Sequence, residues 1–311
     1  ALENGYTATT MLLSEPTAFV MSEGDVYKPS NYNGYYANKP ISLAQAIALS
    51  DNIYAVKTNL FLSPDTVAET TKKFGIKSDL PAVPSLALGS ASITLLEMVQ
   101  AYGRIANGGE EINGYTIKKI ENHKGKIIYE KKDKEKKQVL DQKKAFILTH
   151  LMQGMFDRRL NGYMEVTGSS IIDKIHHAYA GKSGTTDSDS WMIGFSPSVV
   201  TGVWTGYDDN QPIQIASEKS IAKNVWAESM EAAHSVDKDY DFTIPDGIVE
   251  KVIDPETGML ATNDCETRRT SYFEKGTEPT QYCTKHLPEK EQQQKQDQED
   301  GLLKRLFDLF K

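Results

Sequence analysis

The chain has 311 residues, room for one large domain or two ordinary ones, with 39% hydrophobic and 25% charged residues and a formal net charge of -8. That negative balance argues against nucleic acid as a partner, and no run of about 18 or more apolar residues is present to cross a bilayer as a helix. The six His and two Cys show no metal-ligand spacing and H-E-x-x-H is missing, so no metal and no cofactor are expected.

The opening ALENGYTATT reads as the tail of a helix with Gly5 as its C-cap signal, so the sequence is expected to be a fragment that begins inside a helix. From Met11 to Pro40 the density of Pro, Asn, Gly and Tyr predicts irregular, loop-forming structure. Ser42 then caps a helix carrying Leu43, Ala46 and Ile47, and Ile53, Val56 and Leu60 continue helical spacing after an interruption at Ser50-Asp51-Asn52. That corner either caps the second helix or presents a hydroxyl and an amide to a cleft. Ser63-Pro64 opens a further helix that ends at Gly75. Thr94 caps another, with Leu95, Met98, Val99, Tyr102 and Ile105 on its apolar face and Gly108-Gly109 at its end.

Residues 112–138 predict a charged hairpin whose Lys-rich run is a solvated face, and residues 141–160 an amphipathic helix. The stretch from His177 to Asp209 reads as a strand, a tight turn and two more strands, because MIGF and VVTGVWTGY are rich in β-branched and aromatic residues broken by Ser196-Pro197-Ser198. Residues 219–235 predict a helix covering one face of that sheet. Helices followed by gathered antiparallel strands make the fold class α+β.

Lys182-Ser183-Gly184, near the end of the first strand, supplies a cation, a hydroxyl donor and a gap where a ligand backbone can approach, a set suited to an anionic peptide. The overlapping G-K-S does not make a phosphate loop: His176 stands where its first Gly belongs, and strand rather than helix follows. Taken with Ser50-Asp51-Asn52, and with Thr185 and Thr186 directly after the Gly, this is the later two thirds of the S-x-x-K, S-D-N, K-T-G set.

On these motifs, and on SDNIYAVKTNLFL, LGSASITLLEMVQAYGRIANGG, AGKSGTTDSDSWMIGFSP, GVWTGYDD and KGTEPTQYC, the sequence resembles the transpeptidase domain of class A, bifunctional penicillin-binding proteins. The resemblance implies the fold shared with serine β-lactamases, an antiparallel sheet with a helical subdomain, here incomplete at the N-terminus. It implies D,D-transpeptidation of peptidoglycan stem peptides by serine acyl transfer, with β-lactams as inhibitors. In that family's site Ser50 would relay a proton and Asn52 would hold the acyl-donor amide. Lys182 would set the cleft's potential, while Ser183 and Thr185 would bind the terminal carboxylate. Gly184 would admit the substrate backbone, Thr186 would add a further hydroxyl, and the Thr185 N–H would give half of an oxyanion hole, worth roughly 3 kcal/mol of barrier. The nucleophile and its Lys are expected on a segment ahead of this chain. The S-x-x-K matches present, at Ser220–Lys223 and Ser235–Lys238, fall after Lys-Ser-Gly, in the wrong order.

Partners implied by the resemblance are stem peptides, β-lactams, the preceding part of the same protein with a glycosyltransferase domain, and cell-wall or division machinery, at the outer face of the bacterial cell membrane. Two alternatives stay open, a serine β-lactamase-like hydrolase and a non-catalytic scaffold module; no Glu between residues 53 and 181 has the Asn four places later that a class A β-lactamase would need. Residues 1–240 read as the transpeptidase part, 241–287 as a two-strand linker with a turn at Pro255–Gly258, and 288–311 as a polar tail. The linker holds Cys265 and Cys283, paired or free. The tail ends in a short amphipathic helix with Leu302, Leu303, Leu306, Phe307 and Phe310 on one face.

Overall fold

The computed structural model describes residues 1–21, 24–132, 136–234 and 241–287. The expected tail helix and the Ser235–Lys238 match lie outside the described residues.

A single 3-10 turn at Leu2–Asn4, closed by Gly5 at φ 86, takes the place of the expected helix tail. Residues 11–40 are less irregular than their composition suggests. β1 (Met11–Ser14) pairs antiparallel with β4 (Lys39–Ser42), and β2 (Phe19–Val20) with β3 (Val26–Tyr27). The β1–β4 pair is set by a partner almost thirty residues away, which local periodicity does not report.

β4 runs into α1 (Leu43–Leu49), where the Ser42 hydroxyl accepts from the Gln45 N–H. α1 is the most deeply sunk helix: Leu43, Ala44, Ala46, Ala48 and Leu49 share one core with Ile147, Leu151, Leu160 and Val166. α2 (Asn52–Leu62) and α3 (Pro64–Lys73) follow, the latter capped by Ser63 at φ 69. α4 (Leu95–Ala106) carries a full capping box between Thr94 and Glu97. β5 (Lys119–Glu121) and β6 (Ile127–Glu130) form the exposed charged hairpin.

α5 (Gln142–Gln153) is shorter than the helix predicted to residue 160. Gly154 ends it where the chain packs on α1: a Cβ there would lie 2.7 Å from Leu160 Cδ1 and 3.5 Å from Ala48 Cβ. Two 3-10 turns take over at Gly154–Phe156 and Arg158–Leu160.

The central sheet is β7 (Ala180–Thr185), β8 (Asp189–Phe195) and β9 (Val200–Gly206), antiparallel in that order, so β7 is an edge strand. α6 (Ile221–His234) covers one face, packing Trp226, Ala227 and Met230 on Tyr179 and Met192, all essentially buried. Each buried Met contributes roughly 1.5–3 kcal/mol. The fit depends on Gly194, whose missing Cβ would stand 2.5 Å from Trp226 Cζ2. α4 and α5 cover the opposite face, with Gly202 leaving room for Val99 of α4 and with Met152 of α5 against Ala180 and Phe195. β10 (Ile248–Ile253) pairs with β11 (Arg269–Glu274), and Ile253 and Phe273 join the core around α1.

Candidate active site

The corner between α1 and α2 is a cap for the second helix, and it also brings the Ser50 hydroxyl to Lys182. Asp51 is the N-cap of α2, its carboxylate accepting from Tyr54 N at 2.7 Å. The Ser50 backbone, in the left-handed region at φ 58, ψ 50, is the C-cap of α1, and its hydroxyl takes no part in either cap. The corner is held from below by a buried polar network. Asp51 Oδ2 also accepts from the hydroxyl of Ser14, from Asn31 Nδ2 at 2.9 Å and from the Tyr163 hydroxyl at 2.7 Å. Asn31 Oδ1 accepts from the N–H groups of Asn52 and Ile53 at 2.8 and 3.3 Å. Burial and then the Asp51 charge push the Tyr163 phenol well above its ordinary pKa, which keeps it a donor.

The two motifs meet across this corner. Lys182 Nζ donates to Ser50 Oγ at 2.8 Å and to the Ser183 carbonyl at 2.8 Å. The ammonium is enclosed by protein although part of its side chain reaches the surface. Its pKa is lowered to about 8, first by desolvation and then by the charge of Lys223 on α6. Lys223, itself depressed by burial, donates to Thr167 O at 3.0 Å. Thr167 in turn donates its N–H and its hydroxyl to Ala48 O near the end of α1, so α6 and α1 are tied together behind the site.

The remaining predicted residues are placed as follows. Asn52 opens α2 and its Nδ2 donates to Ser30 O at 2.7 Å. Ser183 is half-buried, and Gly184 and Thr185 are exposed along β7. A Cβ on Gly184 would meet only Trp191 Cβ, at an ordinary 3.6 Å, so the chain's own packing does not demand glycine there. The Thr186 hydroxyl is committed to the turn after β7, donating to Asp189 Oδ2 and accepting from the N–H groups of Ser188 and Asp189. The S-x-x-K match on α6 is not a catalytic pair: Ser220 Oγ donates to Ser217 O at 2.6 Å while Lys223 points to Thr167.

Sequence reasoning missed Ser14, Asn31, Tyr163 and Lys223. Only Asp51 carried a signal, as the middle residue of its motif; the others converge on it from separate segments.

A hydroxyl held by a cation of lowered pKa, beside a strand edge, can move a proton next to a bound peptide. Residues 1–231 match the family described as penicillin binding protein transpeptidase domain, and residues 244–288 that described as penicillin-binding protein 1A, C-terminal domain. The chain is 49% identical over 292 residues to penicillin-binding protein 2D of Bacillus subtilis, covering 94% of this chain and 42% of the relative. Penicillin-binding protein 1A of Aquifex aeolicus is 32% identical over 289 residues, covering 91% and 38%. The crystal structure of penicillin-binding protein 1A from Haemophilus influenzae superposes with a TM-score of 0.80 at 30% identity, over 91% of this chain and 47% of that one. The chain belongs to the penicillin-binding protein transpeptidase family. It spans less than half the length of these relatives.

Proposed function

We propose that this chain forms the S-D-N and K-S-G side of a D,D-transpeptidase site that cross-links peptidoglycan stem peptides and is blocked by β-lactams. The observation that carries the reading is the 2.8 Å contact from Lys182 Nζ to Ser50 Oγ, which joins motifs 132 residues apart. A relay needs a hydroxyl that donates and accepts, and Ser50 accepts from Lys182 while its own proton remains to be given.

The nucleophilic serine and its Lys belong, in this reading, to an S-x-x-K segment preceding Ala1 in the full-length protein. Attack of that serine on the D-alanyl-D-alanine carbonyl forms an ester and breaks the amide. D-alanine leaves with a proton passed through Ser50, and an amine of a second stem peptide then resolves the ester and returns the serine proton. The acyl donor lies antiparallel along the free edge of β7, with Gly184 giving its backbone room. Ser183 and Thr185 bind the carboxylate, the Thr185 N–H faces the oxyanion, and Asn52 meets the donor amide through the part of its side chain not given to Ser30. Thr186 supports these contacts through its turn.

Residues 1–240 make up the acyl-transfer portion and 241–287 a C-terminal module, at the outer face of the cell membrane. Among the described residues no helix is long and apolar enough to cross a bilayer. The test is to measure stem-peptide cross-linking by the full-length protein with Ser50→Ala or Lys182→Ala. Each is expected to lower the rate by about 10²–10⁴-fold, the usual worth of a positioned proton-transfer group. Rates within twofold of the unaltered protein, for variants with unchanged circular dichroism, would reject the assignment.

A further inference from the structure

The far ends of β10 and β11 carry a cluster that acyl transfer does not use. Asp254 follows β10, Cys265 lies in the loop between the two strands, and Cys283 and His286 sit in the segment returning after β11. One ligand atom from each lies within 4.8 Å of those of the other three. Asp254, Cys265 and Cys283 are 1%, 5% and 1% exposed. Hydrogen bonds to the backbone hold both cysteines: Cys283 N donates to Leu260 O at 2.8 Å, Leu260 N to Gln281 O at 2.9 Å, and Thr262 N to Cys265 Sγ at 3.3 Å. Asp254 accepts from Thr257 Oγ1 at 2.7 Å and from Glu256 N at 3.1 Å.

We propose that Asp254, Cys265, Cys283 and His286 bind a zinc ion. Tetrahedral zinc with Zn–S near 2.3 Å and Zn–N or Zn–O near 2.0–2.1 Å requires ligand atoms about 3.3–3.8 Å apart. His286 Nδ1 is 3.4 Å from Cys283 Sγ and 3.5 Å from Asp254 Oδ2, already two edges of such a tetrahedron. Two thiolates and an imidazole select zinc over magnesium or calcium. Asp254 is 1% exposed with two neutral donors on it, and an adjacent cation would offset the cost of burying its charge. The other face of the imidazole is also provided for, since His286 Nε2 lies 3.3 Å from Glu256 Oε2, the carboxylate partner that orients zinc-binding histidines. Glu256 Oε1 in turn takes Lys39 and Lys285, each at 2.5 Å. Lys39 opens β4, which leads into α1, so the ion would lock the C-terminal module to the element that carries Ser50. A cleft lined by Lys39, Gln45, Asp254, Glu256 and His286 offers an entry path. Four protein ligands leave no open position, which makes the site structural.

The test uses the 311-residue chain purified under reducing conditions without chelator. Elemental analysis should give one zinc per chain, lost in Cys283→Ser and His286→Ala. A chelator should lower Tm, and added zinc should restore it. Cobalt replacement should give a thiolate charge-transfer band with intense tetrahedral visible bands, weakened in Cys265→Ser. A metal-free reduced protein, zinc content unchanged by the ligand substitutions, or a Cys265–Cys283 disulfide in the protein isolated without reductant would each overturn the proposal. Should the variants fail to fold, the unaltered chain decides: cobalt bound without a thiolate band would also overturn it.

Discussion

Lys182 is placed so that its charge is expensive and its proton useful. With its pKa lowered to about 8, it is mainly an ammonium at neutral pH, able to hold Ser50 Oγ and the Ser183 carbonyl together. The sign of its stability linkage follows from that lowering. Between pH 8 and the ordinary lysine value the unfolded chain binds a proton that the folded chain does not, so stability rises with pH in that window. Below pH 8 the full penalty is present. Replacing Lys182 by Met should therefore raise Tm at pH 7 more than at pH 10, while abolishing transpeptidation. Lys223 adds its own lowering through charge. Lys223→Met should move the inflection near pH 8 in the acylation rate of the full-length protein upward; an inflection that stays in place would show that Lys182 does not govern that step.

At the scale of elements, the Ser50 corner depends on Asp51 more than on either helix. Asp51→Ala removes the α2 cap and strands the donors of Ser14, Asn31 and Tyr163 in a buried site. A lost cap costs about 1 kcal/mol and each stranded buried group about 1–3 kcal/mol, so denaturant unfolding should report a loss of at least about 2–4 kcal/mol. A loss below about 0.5 kcal/mol would mean the network does not hold the corner. The corner's role was legible in the sequence because Asp51 sits inside a motif, and the caps at Ser42, Ser63 and Thr94 were legible because capping is local. The β1–β4 pair was not, since its two strands are short and distant in the chain. α5 ends early because Gly154 meets α1 closely, a contact between residues far apart in sequence. Asp254, Cys265, Cys283 and His286 escaped notice for the same reason: their spacing matches no short motif, and the pairing of β10 with β11 and the bonds from Leu260 to the returning segment assemble them.

At the scale of the whole molecule, the sheet and its flanking helices form one framework, and β10 and β11 are built into the core around α1. The order Ser50-Asp51-Asn52 then Lys182-Ser183-Gly184 follows the later part of the S-x-x-K, S-D-N, K-T-G set, and the proposed reaction takes its nucleophile from an S-x-x-K ahead of both. Ser220 does not substitute for it, because its hydroxyl and Lys223 Nζ bond to different carbonyls. The most direct measurement is covalent labelling with fluorescent penicillin, read by mass spectrometry, on the 311-residue chain alone and on the full-length protein. The account predicts no label on the chain alone and, on the full-length protein, a label at the serine of an S-x-x-K preceding Ala1. A stable adduct on the isolated chain, at Ser220 or at Ser50, would contradict it.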